Sequence, residues 1–275
     1  MLFCRRGGII SALTSGQKIR IVGDIWESYE TDLLNKFYSE LAFENWSDEK
    51  KRCAEEIWSK LYTNGTYDPI MVAGLIGNMF GEGNCGILQR GDWNKYLDEN
   101  GNALCANIDK ITNIYQARVA CDSNCPLGIG MQQWSDSTRK NNLLSFYEEE
   151  AALSGGLLSE ESLIRAECET IKKELESKDA SEGGFYSYIF PVYERTEPQI
   201  NDMGEKISFS TCLLYREYER PRQAKIAIGD NYTVKDSSLW IRAQNTTSIM
   251  SEEYSICARI IAAKAAYEHF LEEDV

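Results

Sequence analysis

At 275 residues the chain is long enough to bury a full core, as one large domain or two small ones. Its 43% apolar and 11% aromatic content is globular, and no apolar run approaches the ~20 residues that a membrane-crossing helix needs. A formal net charge of −14 leaves no basic patch to neutralise phosphates, which argues against nucleic acid as a partner.

In chain order, Arg5 and Arg6 precede only a short mixed run without a cleavage pattern, so no signal peptide is read there. Gly7-Gly8, Ser15-Gly16 and the β-branched Ile19-Arg20-Ile21-Val22 suggest a short hairpin or irregular arm. Trp26 through Trp46 reads as a helix with Tyr29, Leu33, Leu34, Phe37, Leu41 and Phe43 on a broad apolar stripe. Residues 1–47 are thus either a docking segment or an extra helix packed on the domain that follows, 48–275. Ser47-Asp48-Glu49 caps the next helix, which Thr63-Asn64-Gly65 stops beyond Leu61. Asp68 caps another, whose Ile70, Val72, Leu75, Ile76 and Met79 share a buried face. Gly81 and Gly83 are expected to break that helix, leaving Glu82 just past its end.

Between Glu82 and Gly128 the chain reads as a long loop or small hairpin, with a turn at Asp98-Glu99-Asn100-Gly101. A structureless connection of that length inside a compact domain tends to be functional. Ser135 or Asp136 caps a helix running to about Glu150. Ser159-Glu160-Glu161-Ser162 opens another, with Leu163, Ala166, Ile171 and Leu175 buried. Phe185, Tyr186, Tyr188, Phe190 and Tyr193 make an aromatic patch that is either core or a stacking surface. Residues 207–219 read as an apolar helix. The last helix starts at Ser251-Glu252-Glu253 and turns Ile256, Ile260, Ala263, Tyr267 and Phe270 inward; His269 within it receives no catalytic role.

Two stretches carry chemistry. In Gly77-Asn78-Met79-Phe80-Gly81-Glu82-Gly83-Asn84 a single carboxylate sits in the negative end of a helix dipole, close to Phe80. The dipole and exclusion of water both oppose ionisation, which suits a general acid; the alternative is an ordinary solvated glutamate in a helix-ending turn. In Gly128-Ile129-Gly130-Met131-Gln132-Gln133-Trp134 a glycine turn stands beside amides and an indole, a surface suited to a sugar ring.

Together these stretches resemble the phage tail lysozyme family. Ala54-Glu55-Glu56-Ile57-Trp58 through Glu82 is similar to its opening helices, and Arg139 through Phe146 to the helix after its Gln-Trp. Tyr218-Glu219-Arg220-Pro221 and Arg259 through Phe270 are similar to its closing segments. The resemblance covers about residues 50–272, with gaps. It implies a mainly α, lysozyme-like domain of the goose-type or transglycosylase-like kind, with a loop or hairpin roofing a cleft. It implies a tail-associated peptidoglycan hydrolase, carried by the virion with phage tail proteins as partners, that acts at the bacterial wall without a cofactor or metal. Delivery on a particle would also overcome the repulsion between so acidic a chain and an anionic wall.

On this reading Glu82 is the acid and Asp136 the nearest candidate second carboxylate, with Asp92, Asp98, Glu99 and Asp122 behind it. Ser135-Asp136 stands where relatives often carry Thr and Gly, so Asp136 is either a gained catalytic carboxylate or, the favoured reading, a helix cap. Gln132, Gln133, Trp134 and Gly130 are expected to hold substrate. Tyr218 either bonds Glu82 or the substrate's N-acetyl group, or packs against the Pro221 turn. Without a second carboxylate the N-acetyl group itself would attack, as in a lytic transglycosylase. A structural tail or wall-binding protein is the alternative from another class. A metal-dependent peptidase is disfavoured by the single histidine. The nine cysteines leave three readings: disulfides bracing the long loop, a structural zinc, or thiols packed as small apolar groups. Free or partly paired thiols suit folding in a reducing cytoplasm.

Overall fold

The computed structural model describes residues 9–11, 20–22, 39, 41–65, 67–82, 85–88, 105, 108–125, 127–179, 181, 183–219, 228–234 and 255–273. Helices begin where short polar side chains can satisfy their first N–H groups. Ser47 opens α1 (Asp48–Trp58) by accepting from Lys50 N, and Asp68 opens α2 (Pro69–Glu82) by accepting from Ile70 N at 2.8 Å. Asn113 caps α3 (Ile114–Cys121), Asp136 caps α4 (Ser137–Leu153), and Ser159 caps α5 (Glu160–Glu176). An aromatic helix, α6 (Tyr186–Thr196), and α7 (Met203–Leu214), capped by Asp202, follow; α8 (Ser255–Glu273) is the last. Wider π-type turns extend α1 through Ser59–Thr63 and α7 through Tyr215–Glu219. Near the N-terminus Ile9–Ser11 and Arg20–Val22 form an antiparallel pair, with Ile9 opposite Val22.

The fold is centred on α2, which is buried on nearly every side from Ile70 to Met79 and packs along α8 and α7. A helix that is apolar all round needs close neighbours, and small residues provide them. Around it, α1 packs on α2 and α5, while α3, α4 and α5 form a second group. Phe43 stacks on His269 with ring centroids 4.0 Å apart, and Trp46 meets Phe80 at 4.7 Å, so the chain just before α1 is packed on this core. Of the helix expected over Trp26–Trp46, the part before residue 39 lies outside the described residues. Phe43–Asn45 forms a single 3-10 turn.

Two helices differ from expectation. The connection after Glu82, expected to be loop or hairpin, contains α3; its eight residues are too short to show a periodic stripe. The aromatic patch after Phe185 is α6, with Pro191 inside it; Phe185, Ile189 and Tyr193 are buried and Tyr188 is exposed. Among the described residues one disulfide, Cys105–Cys125, ties the connection to the end of α3, and six other cysteines are free and buried. Lys140 in α4 is itself buried and donates to the carbonyls of Ala120 (3.1 Å) and Cys125 (2.6 Å), which satisfies the C-terminus of α3. Burial lowers the pKa of that ammonium.

Candidate active site

Glu82 is the last residue of α2 rather than a residue beyond it. Its carboxylate is mostly covered, with the side chain 15% exposed, and it has an ionic partner that the motif alone did not reveal. Arg259 of α8 donates from one terminal nitrogen to Glu82 Oε1 at 2.5 Å and from the other to Asn78 O at 2.7 Å. The guanidinium lies over the Tyr215 ring, 4.4 Å from its centroid, and is 3% exposed; its Nε has no hydrogen-bond partner among the described residues. Gly81 makes this possible. A Cβ there would stand 2.5 Å from Arg259 Cζ, so any side chain would push the guanidinium off the helix end. One turn earlier Gly77 lets the α8 backbone close in, since its Cβ would be 2.3 Å from Arg259 O. The glycines of the motif thus admit an arginine to the carboxylate.

The last carbonyls of α2 are capped by cations on both sides, as the dipole favours. Lys50 of α1 donates to Phe80 O at 2.5 Å and lies 4.2 Å from the Phe80 ring centroid, the same role that Arg259 plays at Asn78 O. Burial and the nearby Arg259 charge bring the Lys50 pKa down to about 8. Asn78 is wholly buried, and its amide donates to Gly74 O (3.0 Å) and Thr211 O (3.1 Å). It therefore ties α2 to α7 rather than facing outward.

The second motif pairs with the chain that leaves the first. Leu88 pairs with Ile129, Gly130 N donates to Ile87 O at 2.9 Å, and Ile129 pairs with Trp134 across the turn. Ile87 is five residues past Glu82, at most about 18 Å of chain. The two motifs, forty-odd positions apart in sequence, thus share one region of the fold.

Within the turn the assignments change. Trp134 is fully buried, and its Nε1 donates to both oxygens of Glu174 at 3.1 Å, so the indole is a core group here and not an open sugar shelf. Arg139 clasps the same carboxylate through Nε (2.8 Å) and a terminal nitrogen (2.9 Å), a bidentate pair. Tyr218 is also fully buried and donates to Glu174 Oε2 at 2.5 Å, not to Glu82. Trp134, Arg139 and Tyr218, three residues of the resemblance, therefore meet at one buried carboxylate. Gln132 is 1% exposed, and neither of its amide atoms has a partner among the described residues; Gln133 is half-buried, holds φ +49°, and donates to Gly130 O at 2.8 Å. Gly130 is at φ +74°, where a Cβ would meet Glu167.

Asp136 is exposed and accepts from Thr138 N (2.9 Å) and Arg139 N (3.2 Å), the helix-capping alternative. Asp122 accepts from Asn124 N at 2.8 Å within a turn. Asp92, Asp98 and Glu99 lie outside the described residues. Among the described residues no group of three or more His, Cys, Asp or Glu is placed to hold a metal ion, and no helix is long and apolar enough to cross a membrane.

The residues that sequence reasoning passed over are Arg259, Glu167 and Glu174. Each has a signal: a charge on the apolar stripe of its own helix. Arg259 stands between Ile256 and Ala263, and Glu167 and Glu174 are seven apart beside Leu163, Ile171 and Leu175.

A family model described as phage tail lysozyme matches residues 52–250. No curated protein and no solved structure matches the chain. The matched span takes in both motifs and the α5 carboxylates that support the second, in a mainly helical, lysozyme-like domain, and the chain belongs to the phage tail lysozyme family.

Proposed function

We propose that this tail-associated, lysozyme-like peptidoglycan hydrolase cleaves the β-1,4 bond between N-acetylmuramic acid and N-acetylglucosamine, with Glu82 as proton donor, to aid genome delivery. The observation that carries this reading is the placement of Glu82. It is a mostly covered carboxylate at the end of a rigid, buried helix, held in one orientation by Arg259 and flanked by the segment that pairs with the glycine turn. Cleavage needs a proton on the leaving oxygen and stabilisation of an oxocarbenium-like centre. As Glu82 gives up its proton its carboxylate gains full charge facing the Arg259 guanidinium. Arg259, which already pairs with this carboxylate in the free protein, stabilises the charge left on Glu82 after the proton has passed to the leaving oxygen. Gln133 is the remaining candidate to hold the sugar's amide or hydroxyl groups, but its Oε1 is covered and its Nε2 donates to Gly130 O, so its side chain would have to turn outward to do so. Residues 1–47 would fasten the enzyme to a tail component through the part that precedes residue 41.

A second reading, lytic transglycosylase, is favoured by one observation: Asp136 and Asp122 each commit Oδ1 to local backbone N–H groups as caps of a helix and a turn. If no carboxylate supplies a nucleophile or base, the substrate's N-acetyl oxygen attacks the anomeric carbon and anhydro ends result. Digestion of purified peptidoglycan with mass spectrometry of the released fragments decides among the readings. Reducing ends mark a hydrolase and anhydro ends a transglycosylase. No release at all would leave a wall-binding or structural tail protein.

A further inference from the structure

We infer that Glu167 is a positioning residue for glycan cleavage: its carboxylate joins the chain leaving the proton donor to the glycine turn and fixes the separation of the two sides of the site. The inference rests on the functional reading above. Glu167 lies in the middle of α5 and is wholly buried. Its Oε1 accepts from Gly86 N at 2.6 Å and from Tyr147 Oη at 2.6 Å, and its Oε2 accepts from Met131 N at 2.7 Å. Gly86 is four residues past Glu82, and Met131 directly precedes Gln132 and Gln133. One carboxylate therefore binds a backbone N–H from the chain just past the first motif and another from within the second.

The surroundings are shaped for that carboxylate. A Cβ on Gly130 would stand 2.5 Å from Glu167 Oε2, so the turn reaches the acid because that position is glycine. A buried carboxylate costs several kcal/mol in lost hydration, and an apolar residue of the same volume is often no less stable. An apolar residue here, however, would orphan two buried N–H groups. Glutamine would satisfy one side only: with its oxygen on Gly86 and Tyr147, its NH2 group would face the N–H of Met131. The direct links between the two segments, Gly130 N to Ile87 O and the Leu88–Ile129 pairing, leave the outer end of the turn to Glu167.

The test is steady-state digestion of soluble glycan strands by wild type, Glu167→Gln and Tyr147→Phe, with thermal unfolding and amide hydrogen exchange at Gly86 and Met131 recorded alongside. The expected result for Glu167→Gln is a kcat at least about tenfold lower, because small misplacements of reacting groups cost rate, with KM within about twofold and cooperative unfolding retained. Exchange protection at Met131 falls with it. If Glu167→Gln does not fold, Tyr147→Phe decides: it removes one hydroxyl from Oε1 and is expected to lower kcat about threefold with KM unchanged. An active wild type whose folded variants keep their kcat overturns the inference alone. An inactive wild type overturns the functional reading and the positioning role with it.

Discussion

Replacing Arg259 by methionine keeps most of the apolar stem and removes every polar contact of the guanidinium. Asn78 O loses its 2.7 Å donor, Glu82 Oε1 its 2.5 Å donor, and the Tyr215 ring its cation. Deleting one partner of a fully buried ion pair costs about 3–5 kcal/mol, because the survivor stays charged and unpaired. Glu82 is 15% exposed and can recruit water, so its share falls below that range. The Asn78 carbonyl adds about 1–3 kcal/mol of unmet hydrogen bonding, and the methionine's apolar burial offsets part of the sum. We expect about 3 kcal/mol, and in a chain of this size a melting midpoint lower by about 6–12 °C. Urea unfolding followed by tryptophan fluorescence, in a cycle with Glu82→Gln, isolates the pair itself; the double variant should be about 2 kcal/mol more stable than the two single losses add up to. Additivity within about 0.5 kcal/mol would refute the claim that Arg259 and Glu82 act as one unit.

Gly81→Ala should raise helix propensity by about 1 kcal/mol yet cut wall-digesting activity at least about tenfold, because the new methyl displaces Arg259 from Glu82; unchanged turnover on purified peptidoglycan contradicts this. Trp134→Phe removes the indole N–H from Glu174 and leaves a cavity where the second ring stood, and should cost about 2–4 kcal/mol in urea unfolding with KM for glycan unchanged, since the indole is not exposed to substrate. Stability should also depend on pH through Glu167. Burial pushes its pKa up from 4.5 to about 7 against the hydrogen bonds from Tyr147, Met131 and Gly86, with Glu49 adding repulsion. The native state therefore holds this proton more tightly than the unfolded chain. The contribution is fully present below about pH 4.5 and is lost as pH rises to about 7, an upper bound of about 3 kcal/mol. Denaturant titrations from pH 4 to 8 should show that decline in wild type and a flatter profile in Glu167→Gln.

Much of the helical frame was legible because its signals are local. Ser47, Asp68, Asp136 and Ser159 each precede an apolar stripe, and each caps the helix that follows. The two motifs could be picked out as well, and the chain that leaves the first pairs with the second. What escaped is the network that holds them, for a physical reason. Arg259, Glu167 and Glu174 find their partners from 20 to 181 positions away, partly among backbone N–H and C=O groups that no sequence pattern marks. A charged residue on a helix is assigned to solvent by default, and only its position on the apolar stripe argues otherwise. Trp134 and Tyr218 erred the other way. Aromatic groups with a polar atom suit a sugar surface and a satisfied core equally, and here the burial of Glu174 settles them in the core.

The proton donor itself is tested most directly by one digest. Wild type and Glu82→Gln, matched for folded fraction, are incubated with purified peptidoglycan and the released fragments are identified by mass spectrometry. The account predicts disaccharide-peptide fragments from wild type and essentially none from the variant. Equal release from both would contradict it and move the chemistry to another residue.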